Sequence, residues 1–95
     1  MKRPKIEMFL KIPKNYNFSW IEMRLLAEFK GRAKNQILAL FLVAQAGKTV
    51  SENFIKKSLG FSNRSFWRCL KYVLLMQKGI KMVLKDRDGN VVVEE

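Results

Sequence analysis

The fold depends most on residues 58–73, SLGFSNRSFWRCLKYV. Gly60 offers a left-handed stop for a short helix, and Ser62 then offers a side-chain oxygen that caps the start of the next one. The sequence predicts that this second helix is longer and runs to about Lys78, where Gly79 ends it. The residues on or beside its core-facing line are Phe66, Cys69, Leu70, Val73, Leu74, Met76 and Gln77.

The opposite side of the longer helix is polar and cationic. At i, i+1, i+4, i+5 and i+8, on one helical face, lie Asn63, Arg64, Trp67, Arg68 and Lys71. A helix that only packed in the core would not need these residues. The pattern therefore predicts a helix with one side packed on the core and the opposite side polar and cationic.

The composition is that of one small domain. The chain has 95 residues, of which 48% are hydrophobic, enough to close a single core. Cys69 is the only cysteine and histidine is absent, which excludes an internal disulfide and a Cys/His zinc site, so no cofactor is expected. Without histidine or a glycine-rich phosphate loop, an enzyme is not expected either.

The excess of positive charge indicates a nucleic-acid partner. The chain carries 19 Lys and Arg against 8 Asp and Glu, a net charge of +11, and the excess is largest in residues 48–79.

The basic start MKRPK is not followed by the apolar run of a signal peptide, and the longest apolar run, residues 37–44, is too short to cross a bilayer. A cytoplasmic protein that associates with the nucleoid and has no membrane partner is therefore expected.

The rest of the chain supplies further helices and short strands. Ser19 and Glu22 have the Ser-x-x-Glu spacing of a capping box. Residues 6–12, between Pro4 and Pro13, are typical of a short strand or an extended arm. The other predicted elements are helices at about 20–30 and 32–46, an edge strand at 48–50, a short helix at 51–60, and a hairpin of strands 80–85 and 91–93 around Asp86-Arg87-Asp88-Gly89-Asn90.

From residue 33 onward this order resembles the winged helix-turn-helix family. The turn and recognition helix of that family are similar to Leu59-Gly60-Phe61-Ser62-x-x-Ser65-Phe66-x-Arg68-x-Leu70-Lys71, and its wing is similar to the Asp-Gly hairpin. The resemblance implies an α+β, mainly helical fold with a winged helix-turn-helix DNA-binding domain in residues 33–95. The N-terminal arm and extra helix expected in residues 1–32 have no counterpart in the family.

The resemblance also implies duplex DNA as the partner. Because 95 residues leave no room for a separate ligand-sensing domain, no small-molecule ligand is expected. The start of the recognition helix would enter the major groove with Ser62, Asn63, Arg64 and Ser65. Farther along this helix, Arg68 would contact guanine, Lys71 would contact phosphate, and Trp67 shares their face. The short helix would brace the DNA backbone with Ser51, Asn53 and Lys56. The wing would reach the adjacent groove with Lys85 and Arg87.

Several of these residues have a second interpretation. Ser51 and Ser62 also suit a purely capping role. Arg87 also suits an ion pair with a neighbouring aspartate of the turn. Trp67 suits an anchor for a second subunit as well as a groove contact. The cationic face could be a solvated surface, but its coincidence with the predicted recognition helix favours a function.

A small transcriptional regulator is the function that these features favour. A centromere-binding partition protein, of the kind that plasmids and other mobile genetic elements carry, is the alternative, because both would act by occupying DNA. A winged-helix module for protein contacts would predict a neutral or acidic recognition face. RNA binding would need exposed aromatic residues for stacking, for which Tyr16, Trp67 and Tyr72 are candidates.

The N-terminal third is richer in apolar residues than a minimal winged helix requires. These residues are Met8, Phe9, Leu10, Trp20, Ile21, Leu25 and Phe29. Exposed apolar patches mark interfaces, so we expect residues 1–31 to build a symmetric homodimer that reads paired half-sites. The alternative is that these residues only extend the core.

Overall fold

The computed structural model describes residues 6–76 and 78–94 and has an α+β fold. Its elements follow in the order β1 (Glu7–Lys11), α1 (Trp20–Glu28), α2 (Arg32–Ala44), β2 (Thr49–Ser51), α3 (Glu52–Leu59), α4 (Asn63–Leu74), β3 (Lys81–Lys85) and β4 (Val91–Glu94). The predicted α+β class is confirmed. Residues 1–5 of the predicted arm, and Gln77 of the predicted core line, lie outside the described residues.

One antiparallel sheet contains these four strands in the order β2-β1-β3-β4. β1 is a central strand, because Phe9 pairs with Ser51 of β2 on one side and with Val83 of β3 on the other. The side chains of Met8 and Leu10 are 6% and 0% exposed and belong to the core. The segment 6–12, for which the sequence left strand and arm open, therefore contains a central strand, Glu7–Lys11, and β2 lies at an edge as predicted.

α1 begins with the predicted capping box. Ser19 Oγ accepts a hydrogen bond from the Glu22 backbone N–H at 3.2 Å, and Glu22 Oε1 accepts one from the Ser19 N–H at 2.8 Å. The helix packs against α2 and buries Leu26 completely. Ile21 and Leu25 remain exposed, so their apolar repeat marks the outer face of α1.

α2 is the central helix of the fold. Its buried residues are Asn35, Leu38, Ala39 and Leu42. The Asn35 side chain donates from Nδ2 to the Leu26 carbonyl oxygen at 2.8 Å and so ties α2 to α1. The almost continuous apolar run predicted burial on several sides, but Ile37 and Leu40 are exposed, because α1 and α4 pack against only part of the helix.

Serine caps begin both of the following helices, as predicted. Ser51 Oγ accepts from the Phe54 N–H at 3.0 Å, and Ser62 Oγ accepts from the Ser65 N–H at 3.1 Å. Between the helices, Gly60 has the left-handed φ of 68° that ends α3. The two serine caps and the glycine therefore fix where α3 begins and ends and where α4 begins.

α4 turns the predicted side to the core but is shorter than predicted. Its buried residues are Phe66, Cys69, Leu70 and Val73. The helix ends at Leu74 and not near Lys78, because the Met76 N–H donates to the Val73 carbonyl oxygen three residues back, at 3.2 Å, and so tightens the last turn. The chain can then reverse into β3 and pair with β1.

The predicted hairpin joins β3 to β4. Asp86 Oδ1 accepts from the backbone N–H groups of Asp88 and Asn90 at 3.0 and 2.9 Å, and Gly89 supplies a positive φ of 84°. The predicted hairpin is confirmed, with a register shift at residues 84 and 85. Among the described residues, none of the helices is both long and apolar enough to span a bilayer.

Candidate nucleic-acid interface

The outward face of α4 carries two free cations around a tryptophan. Arg64 and Lys71 are both exposed, two turns apart on the helix, and neither forms an ion pair with a described residue. Trp67, between them, is 38% exposed and rests edge-on against Phe66 with ring centroids 5.4 Å apart. The indole is therefore held from behind while its outer side stays open.

The N-terminal end of α4 is joined to α3 by a polar network. Lys56 Nζ lies 3.0 Å from Asn63 Oδ1 and 2.7 Å from Glu52 Oε2. The ion pair with Glu52 offsets the charge of Lys56, so this lysine contributes more to the packing of α3 on α4 than to a free positive potential. Ser51 and Ser62 perform the capping role that the sequence allowed.

α2 contributes a cation that the sequence analysis missed. Lys34 Nζ lies 3.5 Å from Ser65 Oγ and 5.8 Å from the centre of the Phe61 ring. Lys34 is one helical turn before the buried Leu38 and so lies on the side of α2 that faces α4. That spacing was the available signal, although Lys34 and Ser65 are 31 positions apart in sequence, so no local pattern could reveal the contact.

Arg68 differs from its neighbours on the cationic face. It is half-buried, and its Nε atom is buried without a hydrogen-bond partner among the described residues. A Cβ on Gly31 would lie 3.3 Å from this Nε and 2.9 Å from Asn35 Oδ1. The prediction that Arg68 lies with its neighbours on the outer side of the helix is therefore wrong in part: its Nε packs where α1 meets α2, in space that Gly31 leaves free.

Cys69 lies beside Arg68 but faces the core. Burial raises the pKa of its thiol, and the neighbouring Arg68 charge offsets this only in part. The thiol is therefore protonated at neutral pH and is a poor nucleophile. Its role in this fold is packing.

The hairpin presents two further cations. Lys85 Nζ lies 4.8 Å from the centre of the Phe9 ring, a cation–π contact that holds the lysine beside a cleft of about 410 Å³. Arg87 is exposed and forms no ion pair with a described residue. The Asp86 carboxylate instead accepts backbone hydrogen bonds within the turn, which leaves the Arg87 guanidinium free for a partner.

The predicted site residues thus fall into separate groups. Lys56, Asn63, Ser65 and the unpredicted Lys34 meet around the start of α4. Asn53 is exposed in the first turn of α3. Lys85 and Arg87 belong to the hairpin, so a ligand that touched both groups would extend over more than one element.

A second basic group, which the sequence analysis did not identify, lies elsewhere. Lys11 and Lys81 face each other across β1 and β3, and with Lys14 they line a cleft of about 320 Å³. β3 begins at Lys81 and runs to the hairpin turn, so this group and the turn lie at opposite ends of the strand. Lys11 Nζ lies 3.8 Å from Glu94 Oε1, which offsets part of its charge.

The aromatic candidates for stacking on RNA bases differ in accessibility. Tyr16 is buried at 4% exposure. Tyr72 is half-buried and stacked on Phe29, with ring centroids 4.6 Å apart and planes 2° apart. Of the three candidates, only Trp67 is exposed.

Comparison with known proteins does not assign this chain to a family. No protein-family model, curated protein or solved structure matches this chain. In the described residues, no group of three or more His, Cys, Asp or Glu side chains is placed to hold a metal ion. The function is therefore inferred from the residues, their charges and their contacts.

Proposed function

We propose that the protein binds duplex DNA with α4 in the major groove and acts as a transcriptional regulator by occupying its site. The observation that carries this proposal is the grouping of Lys34, Arg64 and Lys71 on α4 and beside it. None of the three is ion-paired with a described carboxylate, so their charge is available to phosphates.

The order of the elements supports a winged helix-turn-helix assignment. Helix α2, strand β2, helices α3 and α4, and the β3–β4 hairpin follow one another in the order of that family. Residues 60–62 form the tight turn between α3 and α4. The central position of β1 and the presence of α1 are additions to the family pattern.

The proposed contacts follow from side-chain exposure. Arg64 is the exposed arginine of α4, and its planar guanidinium can donate to both O6 and N7 of guanine. Arg68 would have to leave the junction beside Gly31 to reach a base, so we place the base contact at Arg64. Lys71 and Lys34 supply point charges that can contact phosphates.

Duplex DNA suits the face better than single-stranded RNA does. Single strands are held mainly by bases that stack on several exposed aromatic rings. Here Tyr16 and Tyr72 are covered, and Trp67 is a single ring between two cations. The exposed rings of Trp20 and Phe54 lie on other helices, α1 and α3. In a major groove, the exposed part of Trp67 would contact base edges or a thymine methyl group.

The test is a pair of charge-matched double variants. Arg64→Gln/Lys71→Gln should weaken binding to a selected duplex by about tenfold or more, since it removes a base contact and a phosphate contact. Lys14→Gln/Lys81→Gln removes the same net charge from the other end of β3 and should change affinity far less. Fluorescence anisotropy with labelled duplex measures both. Equal losses in the two variants would show that α4 is not the binding face.

A further inference from the structure

The outer face of α1 is apolar and uncovered. Trp20, Ile21 and Leu25 are 68%, 54% and 46% exposed. Together with Arg24 and Glu28 they line a shallow groove of about 210 Å³. Contiguous apolar side chains at the surface of a small domain mark an interaction site, and exposed tryptophan is common at the centre of such sites.

The inner face holds α1 firmly on the rest of the fold. Leu26 is fully buried, and Glu22 Oε2 lies 2.6 Å from Lys78 Nζ. Phe29, just after the helix, stacks on Tyr72 of α4. The outer face is therefore presented by a fixed element, and a partner could bind it without first ordering the helix.

Charge favours a second copy of this chain as the partner. Arg24 and Glu28 are both exposed, one turn apart on the outer face, and neither forms an ion pair with a described residue. When two α1 helices pair antiparallel about a two-fold axis, each Arg24 extends toward Glu28 of the other copy. The chain carries +11 overall, so a locally neutral face is where two copies repel each other least.

We propose that α1 pairs antiparallel with α1 of a second copy to form a symmetric homodimer. Trp20, Ile21 and Leu25 form its apolar centre, and two reciprocal pairs of Arg24 with Glu28 lie at its rim. The dimer does not depend on the proposed DNA binding. Where both hold, the two-fold axis relates two α4 helices, which then address paired half-sites.

Charge reversal tests this arrangement in the absence of DNA. Arg24→Glu and Glu28→Arg each place like charges opposite one another, so each variant alone should dissociate at least on the order of tenfold more readily than wild type. Mixing the two variants should restore the dimer, because each chain then presents the charges that the other lacks. Sedimentation equilibrium at tens of micromolar measures all three samples.

Two outcomes would overturn the proposal. Wild type that sediments as a monomer at these concentrations excludes the dimer. A dimer that is unaffected by either reversal has its interface on another surface, such as the exposed valines of β4, and this result excludes α1 as the interface.

Leu25→Gln, at an exposed position that leaves the core intact, should also weaken the dimer, and thermal melts confirm that each variant folds. DNA affinity of the monomeric variants tests the proposed function separately.

Discussion

At the scale of single residues, Gly31 determines how three segments meet. It has a φ of 104°, and the Asn35 and Arg68 side chains occupy the space where its Cβ would lie. Glycine is required at position 31 for two reasons: the backbone has a positive φ, and two side chains approach the backbone closely. Arg68 is therefore half-buried, and the cations of α4 that remain exposed are Arg64 and Lys71.

We expect Gly31→Ala to cost about 1–3 kcal/mol of unfolding free energy, since the left-handed backbone strains any side chain and the new Cβ meets Asn35. Gly60→Ala is the matched control. Gly60 has a φ of 68° but nothing within 4 Å of its Cβ position, so this variant carries only the backbone strain. Urea unfolding measures both variants. If Gly60→Ala costs as much as Gly31→Ala, the close approach at Gly31 contributes nothing.

At the scale of elements, α1 depends on its first turn for its place on the fold. Glu22 caps the helix through the Ser19 N–H and also pairs with Lys78, beyond the end of α4. One carboxylate thus both begins α1 and ties it to the segment between α4 and β3. The outer face of α1, where we place the dimer interface, is held in position by this contact.

The pairing of Glu22 predicts a dependence of stability on pH. Its hydrogen bonds to Lys78 and to the Ser19 backbone hold the pKa of Glu22 below its ordinary value of 4.5. A lowered carboxyl pKa contributes stability above the unfolded value, and this contribution is lost as pH falls through the folded value. The difference in urea midpoint between wild type and Glu22→Gln should therefore be larger at about pH 7 than at about pH 3.

Asp88→Asn is the control for this pH effect. Asp88 is exposed, and its carboxylate makes no hydrogen bond with a described residue. Its substitution should leave the pH profile of the urea midpoint close to that of wild type. A Glu22→Gln difference that is the same at both pH values would show that the Lys78 contact does not stabilise the fold.

At the scale of the whole molecule, charge and shape suit an extended polyanion. The fold measures 47 × 26 × 20 Å, and cations lie on α2, on α4 and on the hairpin, apart from the separate group at the start of β3. A duplex that met α4 and the hairpin together would release the counterions of several phosphates. Affinity would then depend strongly on salt.

We expect the logarithm of the association constant to fall with the logarithm of salt concentration at a slope of about −5 to −9 for a dimer, which corresponds to roughly 6 to 10 neutralised phosphates. The monomeric Arg24→Glu variant should have about half that slope. Anisotropy titrations between about 50 and 200 mM salt measure both slopes. A wild-type slope near −1, or tighter binding to single-stranded RNA of equal length, would exclude the proposed duplex contact.

Most of the elements could be predicted from the sequence alone. The Ser19–Glu22 box, the caps at Ser51 and Ser62 and the turn at Asp86 are local hydrogen-bond arrangements between residues two to four positions apart. The core-facing side of α4 followed from its helical spacing. These features are determined by neighbours within one turn of chain, so a single sequence contains the information they need.

The tertiary structure decided which segments meet. It placed β1 between β2 and β3, ended α4 at Leu74, turned Arg68 toward Gly31 and brought Lys34 to Ser65. Periodicity indicates that a helix or strand has an apolar side, but not which distant segment covers that side or whether any does. That choice depends on how all the elements share one core, because contacts between residues far apart in sequence form only when the whole chain packs.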